Sequence, residues 1–211
     1  MRKKERKLTA AELKRKETFE KVSAHMEQEG YQRTDLTVGV VEANVRAILV
    51  MLPFMLLTGV LFYVLHRGQK TDWAALWDDA YLYCVVFLVT VPIHELIHGI
   101  TWSRFAPDGF RAISFGVIWE ALTPYCTCSQ PLTRGQYITG SVMPTAVLGS
   151  GIAIAALCTG NPGLLLLAEL ELLGGGGDFL IIGKILHFHP DAKEVLYLDH
   201  PYECGLVAFM R

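Results

Sequence analysis

Val85-Val86-Phe87-Leu88-Val89-Thr90-Val91-Pro92-Ile93-His94-Glu95-Leu96-Ile97-His98 decides how this chain is read. The apolar run that contains it starts at Ala80 and ends at Phe105, with no acidic or basic residue before His94. That is the composition of a helix meant for a bilayer. Its second half sets two histidines four residues apart, so on a helix both imidazoles project from one face, one above the other. The spacing lets both reach a single metal ion, and the Glu between them is placed to take a proton from a metal-bound water. Core histidines without a metal would need several acceptors in an apolar region, and an unpartnered His, Glu and His are costly in lipid. Pro92 lies two residues before His94 and removes one backbone donor, so a kink or restart is expected there. At a rise of about 1.5 Å per residue, His94 falls about 20 Å into the span, beyond mid-bilayer.

The rest of the composition agrees with a membrane setting. Of 211 residues 52% are hydrophobic, and the mean hydropathy is +0.33; a soluble domain of this length is usually less apolar. A net charge of -2, without an arginine-rich or RNA-binding motif, points away from nucleic acid. The five cysteines are odd in number and irregular in spacing, which is no disulfide framework. Cys126-x-Cys128 is one pair without a second, more in keeping with a strand or turn than with a metal site. No cleavable leader is evident, since charged residues and not an apolar core follow the basic Met1–Lys7 stretch. The first span is then expected to act as an uncleaved anchor.

Residues 1–43 are expected to be a cytoplasmic segment holding an amphipathic helix. Thr9-Ala10-Ala11-Glu12 fits a capping box, and Leu13, Phe19, Val22 and Met26 fall roughly on one face, with Gly30 as a stop. Such a helix lies on the membrane surface or on the protein, or is solvated; its basic residues suit anionic lipid. Residues 31–41 suit a short extended segment. Four spans follow in a membrane domain over 44–190, at about 45–65, 80–105, 138–159 and 164–186. Trp73 and Trp77 in the first loop fit an interfacial belt. Between spans two and three, residues 107–136 read as a short β-hairpin or a re-entrant loop, whose edge would suit strand addition by a substrate peptide. Span three is rich in small residues, which let helices approach closely in lipid. Residues 191–211 are left as a cytoplasmic tail. The fold class expected is thus an all-α membrane protein of about four helices. Lys and Arg concentrate before span one, after span two and at the end, whereas the opposite loops hold only Arg67 and Lys70. That asymmetry predicts a multi-pass protein of the cell membrane with both termini cytoplasmic.

Catalytic zinc takes three protein ligands and keeps one position open. Asp178, mid-span after Gly174-Gly175-Gly176-Gly177, is the best third candidate beside His94 and His98. Glu171 lies seven residues earlier on about the same face, and Glu169, His187 and His189 are reserves. Surface roles suit Asp108 and Glu120, and His25, His66 and His200 carry no functional weight. Zinc would lower the pKa of its water and polarise a carbonyl, with Glu95 moving the proton.

His94-Glu95-Leu96-Ile97-His98-Gly99, Pro124-Tyr125-Cys126, Gly176-Gly177-Asp178-Phe179-Leu180 and Asp199-His200-Pro201 together resemble a bacterial domain-of-unknown-function family described as putative zincin peptidases. In outline the chain is also similar to the site-two proteases, intramembrane zinc enzymes in which a later helix supplies an Asp ligand. The resemblance implies zinc as cofactor, His94, His98 and Asp178 as ligands, and Glu95 as catalytic base. It departs from the site-two pattern around the Asp, where Gly-Gly-Asp-Phe stands in place of Leu-Asp-Gly. The function expected is a zinc-dependent intramembrane or membrane-adjacent peptidase acting on a membrane-associated peptide or protein. The alternative is a non-catalytic metal-binding membrane protein, a sensor, scaffold or cation transporter using Glu169, Glu171 and Asp178. Membrane lipid is the other expected partner, and a homo-oligomer is left open.

Overall fold

The computed structural model describes residues 9–68, 74–118 and 123–211, without the side chains of residues 40, 41 and 75. The basic start of the chain, Lys70, Trp73, Trp119 and Glu120 lie outside the described residues.

Three helices are long and apolar enough to cross a membrane: Glu42–His66, Ala80–Ser103 and Arg134–Thr159. The first belongs to α2 (Val40–His66) and the second is α4 (Ala80–Ser103), which follows the short α3 (Ala74–Asp78). The third is α5 (Arg134–Pro144), a widened turn at Thr145–Gly149, and α6 (Ser150–Thr159). It begins earlier than expected because Thr133 and Gln136 form a capping box at Arg134. Leu49, Leu56, Leu57, Val60 and Tyr63 on α2, with Tyr81, Leu82, Leu88 and Val89 on α4, are more than half exposed. Apolar surface on that scale is what a lipid-facing helix presents. The region expected as a fourth span is two helices, α7 (Pro162–Gly174) and α8 (Gly176–His187), meeting at Gly175. With 13 and 12 residues, neither alone reaches the roughly 20 that a bilayer needs. Asn161 caps α7 by accepting from the amides of Gly163 and Leu164.

The all-α expectation is corrected by a sheet. β1 (Gln32–Thr37), β6 (Gly205–Met210), β5 (Val195–Asp199) and β4 (Leu132–Thr133) form an antiparallel four-stranded sheet in that order. Val195-Leu196-Tyr197-Leu198 and Leu206-Val207-Ala208-Phe209 are too short to cross lipid but have the apolar density of buried strands. Reading the chain for spans alone passes over runs of that length. α1 (Ala10–Gln28) starts at the expected Thr9–Glu12 capping box and lies against this sheet. Phe19, Met26 and Tyr31 are buried with Leu198, Val207 and Phe209, whereas Leu13 is exposed. Packing on protein, one of the three settings left open for α1, is the one found.

After α4, a helical turn at Gly109–Ala112 leads into β2 (Ile113–Ile118), which pairs antiparallel with β3 (Thr123–Cys128) from Ile113–Cys128 to Ile118–Thr123. This two-stranded ribbon packs on α4. A second core joins Trp102 of α4, Cys126 and Cys128 of β3, Tyr137 of α5, Ile185 of α8 and Tyr197 of β5. The long apolar helices, the ribbon and the sheet therefore meet beside the end of α4 that carries the motif.

Candidate metal centre

His94 and His98 are buried on the face of α4 turned into the protein. α8 brings Asp178 to them. His94 Nε2 lies 3.4 Å from Asp178 Oδ2, and His98 Nε2 lies 3.3 Å from Oδ1. One ligand atom from each of the three groups falls within 4.8 Å of the others, so the set can hold a metal ion. Donors of a tetrahedral zinc site, with bonds of 2.0–2.1 Å, stand roughly 3.3 Å apart. Each histidine stands at about that spacing from its own Asp178 oxygen, long for a charged hydrogen bond, which runs about 2.7–2.9 Å. Two imidazoles and one carboxylate are a donor set that suits zinc.

Each histidine is oriented from behind. His98 Nδ1–H donates to the Gly140 carbonyl at 2.8 Å, which leaves the Nε2 lone pair directed at Asp178. The His98 ring stacks on Trp102, with centroids 5.0 Å apart and planes 13° apart. The Trp102 Nε1–H in turn donates to the Tyr137 carbonyl at 3.2 Å. Gly140 has to be glycine, because a Cβ there would occupy the Trp102 indole. Behind His94, Glu171 Oε2 stands 3.8 Å from Nδ1, and the other Glu171 oxygen is hydrogen-bonded to the Thr90 hydroxyl, one turn before His94. Glu171 thus lies outside the converging three, in the position of an outer carboxylate.

Glu95 projects toward the ribbon, where the Cys126 backbone N–H meets its carboxylate. Close packing holds β2 and β3 there: a Cβ on Gly99 would come within 2.6 Å of Phe115 Cζ. β3 therefore backs the residue expected to move protons.

The remaining candidates are placed elsewhere. Both Glu169 carboxylate oxygens are buried without a hydrogen-bond partner. His187 is exposed and its Nδ1 is bonded to Gly183 O at 2.7 Å; His189 is also exposed. Asp108 accepts from Gln130. Cys126 and Cys128 are buried, burial pushes both thiols up, that of Cys128 to about 12, and neither belongs to the converging group.

Sequence reasoning missed two supports, Tyr137 and Asp199. Asp199, at the end of β5, accepts from the Cys128 N–H at 2.7 Å and from the Tyr137 hydroxyl. Burial outweighs these bonds and pushes its carboxyl up to about 6. The signal was an acid closing the apolar strand Val195-Leu196-Tyr197-Leu198.

Residues 87–193 match the model of a family described as "Putative zincin peptidase". The chain belongs to this family. The match covers just over half the chain, from within α4 to Lys193, and takes in His94, His98 and Asp178 together with the ribbon between their helices. A zincin family implies zinc, in agreement with the donor set. No curated protein and no solved structure matches the chain.

Proposed function

We propose that this zincin-family chain is a zinc-dependent peptidase that cleaves a membrane-associated peptide or protein at or within the bilayer. The observation that carries the reading is the convergence of His94, His98 and Asp178 around Glu95, on a helix long and apolar enough to span a membrane. His94 and His98 from α4 and Asp178 from α8 would hold the ion. Bound there, zinc supplies a Lewis acid that makes water acidic near neutral pH and polarises the scissile carbonyl. Glu95, one residue after His94 and three before His98, takes a proton from the attacking water on its carboxylate. It then delivers that proton to the leaving amine nitrogen. Water's oxygen ends on the acyl carbon and the C–N bond breaks. Among the described residues β2 pairs with no strand besides β3, so its outer edge suits an extended substrate adding as a further strand.

In this reading α7 and α8 cross together as a fourth, broken span, and both termini are cytoplasmic. The Lys and Arg asymmetry supports the orientation. A helix bearing the paired histidines followed by one bearing an Asp also supports the outline likeness to site-two proteases. One observation favours a second reading, a cation path without hydrolysis: Glu169, on the same helix as Glu171, buries both carboxylate oxygens unpaired.

The test uses the purified full chain in proteoliposomes with a fluorescent casein and a single-span reporter peptide. Glu95→Gln should retain zinc and lose cleavage, whereas His94→Ala and Asp178→Ala should lose zinc. Cleavage retained by Glu95→Gln would overturn the mechanism. Zinc content unchanged in both ligand variants would remove the metal centre.

A further inference from the structure

A cavity of about 340 Å3 lies on the other side of β3 from the metal centre. Alternate residues of a strand face opposite ways. The Cys126 side chain is buried in the core with Trp102, while its neighbours Tyr125 and Thr127 line the cavity. Its other walls are one face of α1, the start of the ribbon and the turn after β5. Tyr125, His200 and Pro201 belong to stretches that set this sequence apart, yet the metal centre uses none of them.

The lining is cationic. Lys14 and Arg15 come from α1 and Arg111 from the turn after α4. Arg15 is held in place: its guanidinium lies 4.2 Å over the Tyr125 ring and its Nε–H donates to the Pro201 carbonyl at 3.0 Å. Among the described residues, no carboxylate pairs with Lys14 or Arg111. His200 Nδ1 accepts the Glu203 N–H at 2.9 Å, which makes its other nitrogen an N–H donor. The one acid in the lining, Asp199, is already engaged by the Cys128 amide and the Tyr137 hydroxyl.

The rim is apolar. Phe115, whose ring tip packs on Gly99 of α4, also borders the cavity and is 44% exposed; Phe110, 51% exposed, lies against it with centroids 5.9 Å apart. Both follow closely on the end of α4, where exposed Phe105 continues the uncovered surface of that helix. Cations inside, aromatic rings outside and a membrane helix ending beside them are what a phospholipid needs for its phosphate and its chains. A soluble anion needs no such rim.

We infer that this groove binds the phosphate headgroup of an anionic membrane lipid, with Lys14 and Arg111 as its cations. The inference rests on the membrane placement proposed above and is independent of hydrolysis. Its test with a soluble short-chain lipid therefore succeeds or fails apart from any cleavage assay.

The full chain in an uncharged detergent is titrated calorimetrically with dihexanoyl-phosphatidylglycerol, dihexanoyl-phosphatidylcholine and inorganic phosphate. The compared proteins are wild type, Lys14→Glu/Arg111→Glu, and Lys21→Glu/Lys193→Glu, which makes the same charge change away from the groove. All four positions are exposed, so each variant is expected to fold. At the usual strength of a basic residue near anionic lipid, losing two weakens phosphatidylglycerol binding about thirtyfold, so reversing both charges should weaken it by at least that much. The control should stay within about twofold of wild type, and phosphatidylcholine should bind weakly throughout. Equal binding of the two lipids to wild type overturns the inference, as does unchanged binding by Lys14→Glu/Arg111→Glu. Inorganic phosphate bound as tightly as phosphatidylglycerol overturns the lipid as source in favour of a soluble phosphate.

Discussion

Gly140→Ala tests whether the metal centre depends on the contact between α4 and α5. The Gly140 carbonyl accepts the His98 Nδ1–H at 2.8 Å, and a Cβ at this position falls inside the Trp102 indole. Trp102 has no room to retreat: it is 3% exposed, stacked on His98 and bonded to the Tyr137 carbonyl. Either α5 backs away and stretches the His98 bond, or the indole tilts and loses its stack. Both outcomes free the His98 ring. Loss of a partner that orients a ligating histidine typically costs 10–100-fold in metal affinity, or about 1.4–2.7 kcal/mol. Overpacking costs a further 1–3 kcal/mol or so of stability, offset by about 1 kcal/mol from the better helix propensity of Ala. Zinc affinity is therefore the sharper readout. It is measured by competition with a chromogenic chelator, beside melting curves of the zinc-free protein. Gly135→Ala, on the same helix with nothing within 4 Å of its added Cβ, is the control and should keep wild-type affinity. A Gly140→Ala protein that binds zinc within about twofold of wild type would refute the claim that this contact orients His98.

Other consequences are open to direct measurement. Chelation should lower the melting temperature of wild type and leave His94→Ala unchanged, since a ligand at a thousandfold excess over its Kd contributes about 4 kcal/mol to the folded state. Thr9→Ala removes the α1 capping box and should cost about 1 kcal/mol; hydrogen exchange should quicken in α1 while zinc affinity is unaltered. Asp199 supplies a pH dependence. Its folded pKa of about 6 lies above its ordinary value of 3.8, because burial disfavours the charge. The folded state therefore holds the proton more tightly than the unfolded one between those values, and stability falls as pH rises through that window. Melting temperatures of wild type should drop relative to Asp199→Asn from about pH 4 to 6 and run parallel above; parallel curves throughout would contradict the assignment.

The paired histidines were legible because helical spacing alone puts them on one face, whatever surrounds them. Asp178 was legible for a different reason, as a charge with no cheap place in an apolar segment. The role of Glu171 was visible only as a shared face; its seat behind His94 depends on how α7 meets α4, which no local pattern encodes. The four-stranded sheet was missed because its partners are distant in sequence: Gln32 pairs with Met210, and Leu132 with Tyr197. β1 lies in the extended segment expected at 31–41, but β4, β5 and β6 are each too short to distinguish from loop in a chain scanned for spans. Gly140 was noted only as one of many small residues. That it sits under an indole and over an imidazole follows from the α4–α5 crossing, which is tertiary information.

The glycine run before Asp178 shows how packing turns composition into a site. Of its four members, Gly174 and Gly177 have nothing within 4 Å of a built Cβ, so they meet no neighbour that demands glycine. Gly175 lies against the Thr145 hydroxyl, and a Cβ on Gly176 would come within 2.8 Å of the Ala47 methyl. Those two contacts seat the junction of α7 and α8 between α2 and the widened turn that follows α5. The break puts Asp178 in the first turn of α8, where unpaired amides and the positive end of the helix dipole favour a carboxylate anion. Glu171, still within α7, remains one layer out, beside the other nitrogen of His94. An unbroken helix would offer both acids on one stripe without distinguishing them. The break separates them into an inner acid shared by both histidines and an outer acid that faces only one.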